Sequence, residues 1–137
     1  MMDDLVELLH WDNHTLVVAN GEVCAFHGRG ISDLYRLLHE APDFLKGASV
    51  ADKVVGKGAA ALMVLGGVSE LHADLISEPA LVLLEAARIR VTYDEKVPQI
   101  QNRTKSGICP VEALCRNAGT AEECLPLIEK FMNSIKQ

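Results

Sequence analysis

The order of predicted elements places the chain in the α/β class, as a three-layer α/β/α sandwich around a mixed sheet. Three observations carry that expectation. Ser49–Gly66 holds an unbroken apolar run, Ala59–Leu65, that reads as a buried central helix. Asn20-Gly21 lies between two β-rich runs, a strong short-range hairpin signal. The strand-like segments Glu70–Ile76 and Ile89–Tyr93 are separated by an apolar helical stretch, which calls for a parallel pair with a right-handed crossover.

Taken in order, Asp3 or Asp4 caps a helix through His10 that carries Leu5, Val6, Leu8 and Leu9. Thr15–Ala19 and Glu22–His27 are the arms of the hairpin. Gly28-Arg29-Gly30 leads into a helix over Ser32–Glu40, stopped before Pro42, with Leu34, Leu37 and Leu38 at the spacing of a buried face. Asp43–Ala48 is a connector. The central helix is expected over Ser49–Gly66, with Ser49 and Asp52 as a capping box and Gly66-Gly67 as a left-handed stop. Its glycines and alanines would let neighbouring elements approach closely.

Glu70–Ile76 follows as a strand. Ser77 caps a helix over Ala80–Ala87 that tolerates Pro79 in its first turn. Ile89–Tyr93 is a short strand, and Val97–Gln101 a candidate for another. Asn102–Ile108 is a polar loop. Cys109-Pro110-Val111-Glu112 opens a helix with proline at its first position. Thr120-Ala121-Glu122-Glu123 is a second capping box, heading a C-terminal helix to about Ile135.

A length of 137 residues suits one domain spanning 1–137 with a real core. Hydrophobic residues make up 49% of the chain but aromatics only 4%, so that core is aliphatic. A net charge of −6 without a basic face argues against nucleic acid as the partner. No apolar run reaches the roughly 18 residues of a membrane span. The acidic start MMDDLVELLH is unlike a secretory signal, so a cytoplasmic protein is expected, with Cys24, Cys109, Cys115 and Cys124 as free thiols.

The element order, together with Arg29-Gly30-Ile31, Ala51–Lys57, Ile76-Ser77-Glu78, Asn102-Arg103 and Cys109–Glu112, resembles a small bacterial domain-of-unknown-function family. The resemblance covers nearly the whole chain and implies a fold similar to cytidine deaminase, with no established activity. Deaminases of that fold hold zinc through a histidine or cysteine at one helix start and a P-C-x-x-C at the next. The matching segments here, Ala51-Asp52-Lys53 and Ser77-Glu78-Pro79-Ala80-Leu81, contain neither thiol nor imidazole. His72-Ala73-Asp74 looks like the deaminase histidine motif, with Cys109 and Cys115 downstream. However, His72 falls on a predicted strand, and helical positions six apart do not converge on one ion. No zinc, other metal or cofactor is therefore expected.

The candidate ligand residues are Arg29, Asp52, Lys53, Lys57, Ser77, Glu78, Asn102, Arg103 and Cys109. On a helix over Ser49–Gly66, Lys53 and Lys57 share a face near the N-terminus, where amides and cations favour an anion. Arg29 offers a forked donor beside a flexible Gly-x-Gly turn. Asn102 and Arg103 would close over a ligand, and Cys109 at a helix start is a candidate thiolate. These residues point to a nucleotide or another phosphate-bearing small molecule. Two alternatives stand beside that reading. One is an enzyme of another class using Lys53, Lys57 or Cys109 as nucleophile. The other is a non-catalytic regulatory module acting as a homo-oligomer.

Overall fold

The computed structural model describes residues 2–28, 31–101 and 107–135. Helix α1 (Met2–His10) carries Asp3 and Asp4 in its first turn and buries Leu5 and Leu9, one turn apart. A single 3₁₀ turn, Trp11–Asn13, leads to the hairpin of β1 (Leu16–Asn20) and β2 (Glu22–Phe26). The hairpin turns at Gly21, whose φ of 80° suits glycine, with Asn20 paired to Glu22 across it. Helix α2 (Ser32–Glu40) has the expected bounds, and the expected connector holds a one-turn helix, α3 (Pro42–Leu45).

The main correction falls at the centre. Ser49–Gly66 is two elements: a strand, β3 (Ser49–Val55), and a helix, α4 (Lys57–Gly66), joined at Gly56. Ser49 and Asp52 form no capping box. The Ser49 hydroxyl donates to Glu70 Oε2 at 2.7 Å, and Asp52 Oδ1 accepts from the Val54 amide two residues on. The physical reason is tertiary. Val50, Val54 and Val55 are β-branched, and a strand flanked by partners on both edges satisfies every amide that a helix would. Lys53 and Lys57 therefore lie on different elements and share no helix face. The helical half behaves as expected: Gly58 to Met63 are all buried, and Gly67 closes the helix with φ 78°.

Strand β4 (Glu70–Ser77), helix α5 (Glu78–Ala86) and strand β5 (Arg90–Val97) complete the sheet. The candidate strand at Ile89–Tyr93 thus runs on to Val97, whereas Val97–Gln101 forms no strand of its own beyond Val97 and contributes only an isolated bridge between Gln101 and Ile108. The order is β2-β1-β3-β4-β5, with β1 antiparallel to both neighbours and β3, β4 and β5 mutually parallel. The sheet is mixed, as expected. Helices α6 (Pro110–Cys115) and α7 (Ala121–Ile135) follow, and the Thr120 hydroxyl accepts from the Glu123 amide at 3.1 Å in the predicted cap.

The two sheet faces are covered unequally. Helix α4 lies in the larger core with Leu16, Val18, Val50, Leu71, Ala73, Leu84, Cys124 and Ile128. On the opposite face α1 packs Leu5 and Leu9 over Val17, Ala19 and Ala51. Alternation slips where the parallel strands end: Ala73 and Ile76 both join the larger core, although three residues apart. Between them, Asp74 meets His10 of α1, and Lys53 and Val54 occupy the step of β3 beside Asp74 and Leu75. Among the described residues no helix is long and apolar enough to cross a membrane.

Candidate functional site

The carboxyl ends of β3, β4 and β5 meet the starts of α4 and α5. Open α/β sheets bind ligands at such an edge. Here the helix starts are tied to a side chain that sequence reasoning passed over. Glu112, on α6 and only 4% exposed, accepts from the Lys57 amide at 2.7 Å, from the Ser77 hydroxyl at 3.1 Å and from the Ile100 amide. One internal carboxylate thus occupies the anion-favouring start of α4 and fastens α6 to the ends of β3 and β4. Glu112 stood inside the segment Cys109–Glu112 that carries the family resemblance, but only its position in the helix start was legible there.

The predicted ligand residues separate into several places. Lys57 and Ser77 do come together, around Glu112. The Lys57 ammonium donates to the carbonyls of Arg116 and Ala118, so it closes the C-terminal end of α6. Ser77 is fully buried and also caps α5 through the Ala80 amide at 3.3 Å. Glu78 is exposed and pairs with Lys96 at 3.3 Å. Cys109, half-buried, precedes Pro110 at the start of α6. Arg29, Asn102 and Arg103 lie outside the described residues.

Asp52 is buried in the middle of the sheet, in register with Leu16 and Ala73. Burial pushes its carboxyl up to about 8, helped by repulsion from Asp74 and Asp33 and opposed by amide hydrogen bonds from Val54 and Lys53. Lys53, half-buried, donates its backbone amide to Thr15 O at 3.2 Å.

An open cleft of about 460 Å³ lies at this edge, lined by Val54, Leu75, Val97, Pro98, Gln99, Ile100 and Gln101. Its floor is aliphatic and its rim carries two side-chain amides. Ile100, one of its walls, is held by Glu112 through its amide.

Further back along β4 the face towards α1 is polar. His72 Nδ1 meets Thr92 Oγ1 at 2.9 Å, while its Nε2 lies 3.4 Å from Asp74 Oδ1 and 3.9 Å from Asp94 Oδ1. His10 of α1 reaches Asp74 Oδ2 at 2.7 Å. A second group, Asp12, His14 and His27, sits near the 3₁₀ turn, where His14 Nδ1 is engaged by Leu8 O and His27 Nε2 by Asp12 O. Asp94 and His10 carried no signal in the sequence. His72-Ala73-Asp74 did, as a likeness to a deaminase motif.

The whole chain has a counterpart of the same shape. The crystal structure of a DUF1893 family protein, TM1506, from Thermotoga maritima superposes with a TM-score of 0.87 at 25% identity, covering 94% of this chain and 88% of that one. No curated protein matches the sequence. A family model described as TM1506, domain of unknown function (DUF1893), matches residues 4–132, and the chain belongs to that family.

Proposed function

We propose that this DUF1893 domain is a relative of the cytidine-deaminase-like three-layer fold, without the deaminase zinc centre at its helix starts, that binds a small, anionic, nucleotide-like ligand in the cleft at the carboxyl ends of β3–β5. The observation that carries the reading is the cleft itself. Its volume falls in the range of small-molecule sites, roughly 300–1,000 Å³. Val54, Leu75 and Val97 give it an apolar floor that would take the face of a planar ring, and Gln99 and Gln101 supply amides for the ring's polar edge. Lys53 shares the step of β3 next to Val54, where an ammonium would meet a phosphate.

The donor chemistry supports the absence of a deaminase-type zinc centre at the helix starts. The starts of α4 and α5 offer a backbone amide, the Ser77 hydroxyl and the Glu112 carboxylate, with no thiol or imidazole among the side chains there. Glu112 fills the start of α4, so the anionic end of a ligand is assigned to Lys53 and the cleft rather than to the helix amides. The Lys57 ammonium, bound to two carbonyls, serves the packing of α6 and is unsuited to act as an amine nucleophile.

The test is isothermal titration and thermal shift of the protein against nucleobases, nucleosides, nucleotides and sugar phosphates. The expected result is saturable stabilisation by a nucleotide. It should be lost in Leu75→Arg, which fills the cleft floor, and weakened in Lys53→Ala. Silence across all four classes, or binding untouched by Leu75→Arg in a folded variant, removes this reading.

A further inference from the structure

We infer that His72, Asp74 and Asp94 form a binding site for a borderline divalent cation such as Zn²⁺ on the α1 face of the sheet, with His10 as a supporting outer-shell group. The first observation is an unmet bonding need. His72 is only 9% exposed, and its Nε2 is buried without a hydrogen-bond partner. The buried Asp74 Oδ1 is likewise unpartnered, although the two atoms are 3.4 Å apart. Burying polar atoms in this state is unfavourable unless something bonds them. A neighbour that could bond both, and does not, indicates that a third atom belongs between them.

The spacing is that of ligands around one ion. Atoms about 2.0–2.2 Å from a tetrahedral centre stand about 3.3–3.6 Å from one another. His72 Nε2 to Asp74 Oδ1 is 3.4 Å and His72 Nε2 to Asp94 Oδ1 is 3.9 Å, and one ligand atom from each of the three residues falls within a 4.8 Å set. Asp94 is the exposed member, with 65% of its side chain accessible, so it can close the remaining few tenths of an ångström and leaves a route of entry.

Charge argues the same way. Asp74 and Asp94 occupy the same step of neighbouring parallel strands, between the pairs Ala73–Tyr93 and Leu75–Glu95. Like charges so placed repel unless a cation lies between them. The surrounding bonds also suit a metal. Thr92 engages His72 Nδ1, which leaves Nε2 to coordinate, and His10 engages Asp74 Oδ2, which leaves Oδ1 to coordinate. These are the outer contacts that orient metal ligands. One imidazole with two carboxylates favours a first-row transition ion over Mg²⁺ or Ca²⁺.

The experiment is calorimetric titration of the metal-stripped protein with ZnCl₂ and, separately, MgCl₂, with thermal shift in parallel. One Zn²⁺ per chain is expected at submillimolar concentration or tighter, with a raised melting temperature and no comparable response to Mg²⁺. Asp94→Asn, a surface change that leaves the core intact, should weaken Zn²⁺ by at least about tenfold. His10→Gln should weaken it through the outer shell, by roughly 10–100-fold. Asp12→Asn in the second cluster, and Cys24→Ser with Cys109→Ser, should leave it unchanged. Wild-type affinity in Asp94→Asn, or loss only in the Asp12 or cysteine variants, overturns the assignment. No Zn²⁺ binding at submillimolar concentration also overturns it.

Discussion

Glu112 Oε1 accepts a hydrogen bond of 2.7 Å from the backbone amide of Lys57, a residue 55 positions earlier in the chain. Both belong to the edge where strands end and helices start. The bond turns the electropositive start of α4 into an internal fastener. With the Ser77 hydroxyl and the Ile100 amide on the same carboxylate, one side chain links α6, the β3–α4 junction, the end of β4 and the wall of the cleft.

Replacing Glu112 should therefore be among the costlier single changes in the protein. Glu112→Ala removes the acceptor for three donors in a nearly closed site, and we predict a loss of about 3 kcal/mol or more in unfolding free energy. Glu112→Gln keeps one acceptor oxygen and should lose about half as much. Urea denaturation of the two variants checks this. Equal stability of Glu112→Ala and the parent protein would show that the carboxylate is idle.

Asp52 predicts a pH dependence of the opposite sign to that of a salt-bridged carboxylate. Its carboxyl is raised from 3.8 to about 8 in the fold, so the folded state retains a proton that the unfolded state releases. The favourable contribution is complete below the unfolded value and is lost as pH rises through the folded one. Stability from this group should fall steadily between pH 4 and pH 8 and level off above. Asp52→Asn has no proton to lose. It should match the parent near pH 4 and exceed it increasingly towards pH 8, by an amount on the order of a few kcal/mol. Denaturation of both proteins across this range is the check, and parallel curves would place the charged carboxylate comfortably in the sheet.

Much of the fold was legible because local signals and tertiary demands agree. Ser32–Glu40, the Asn20-Gly21 turn, the Ser77 cap and the Gly67 stop stand where their residue types place them. The failure at Ser49–Val55 is equally instructive. Ser49 with Asp52 imitates a capping box, and the apolar run after Lys57 is a true helix, so the two read as one. The strand is fixed by β1 and β4, which lie far off in sequence and supply the hydrogen bonds that a local reading assigns to a helix.

The site was less legible for the same reason. Lys53 and Lys57 lost their shared face with that helix. Glu112, Asp94 and His10 gain their meaning only from partners on other elements, which no spacing along the chain reveals.

The small residues of α4 did announce a purpose, and Gly58 gives the sharpest test of it. A Cβ at this position would stand 2.3 Å from Val111 Cγ1, a distance no real contact reaches. Alanine is better than glycine inside a helix by roughly 1 kcal/mol, so propensity alone makes Gly58→Ala stabilising. The overlap with α6 costs about 1–3 kcal/mol, because Val111 is itself buried and has little room to move. The steric term should win, leaving Gly58→Ala net destabilised. Trimming the opposing side chain then separates the two terms. In a Val111→Ala background the overlap is gone, and adding Gly58→Ala should raise stability by a fraction of a kcal/mol up to about 1 kcal/mol. Equilibrium unfolding of the four proteins in this cycle gives the coupling directly. A change of the same sign and size in both backgrounds would mean that α4 and α6 do not need this close approach.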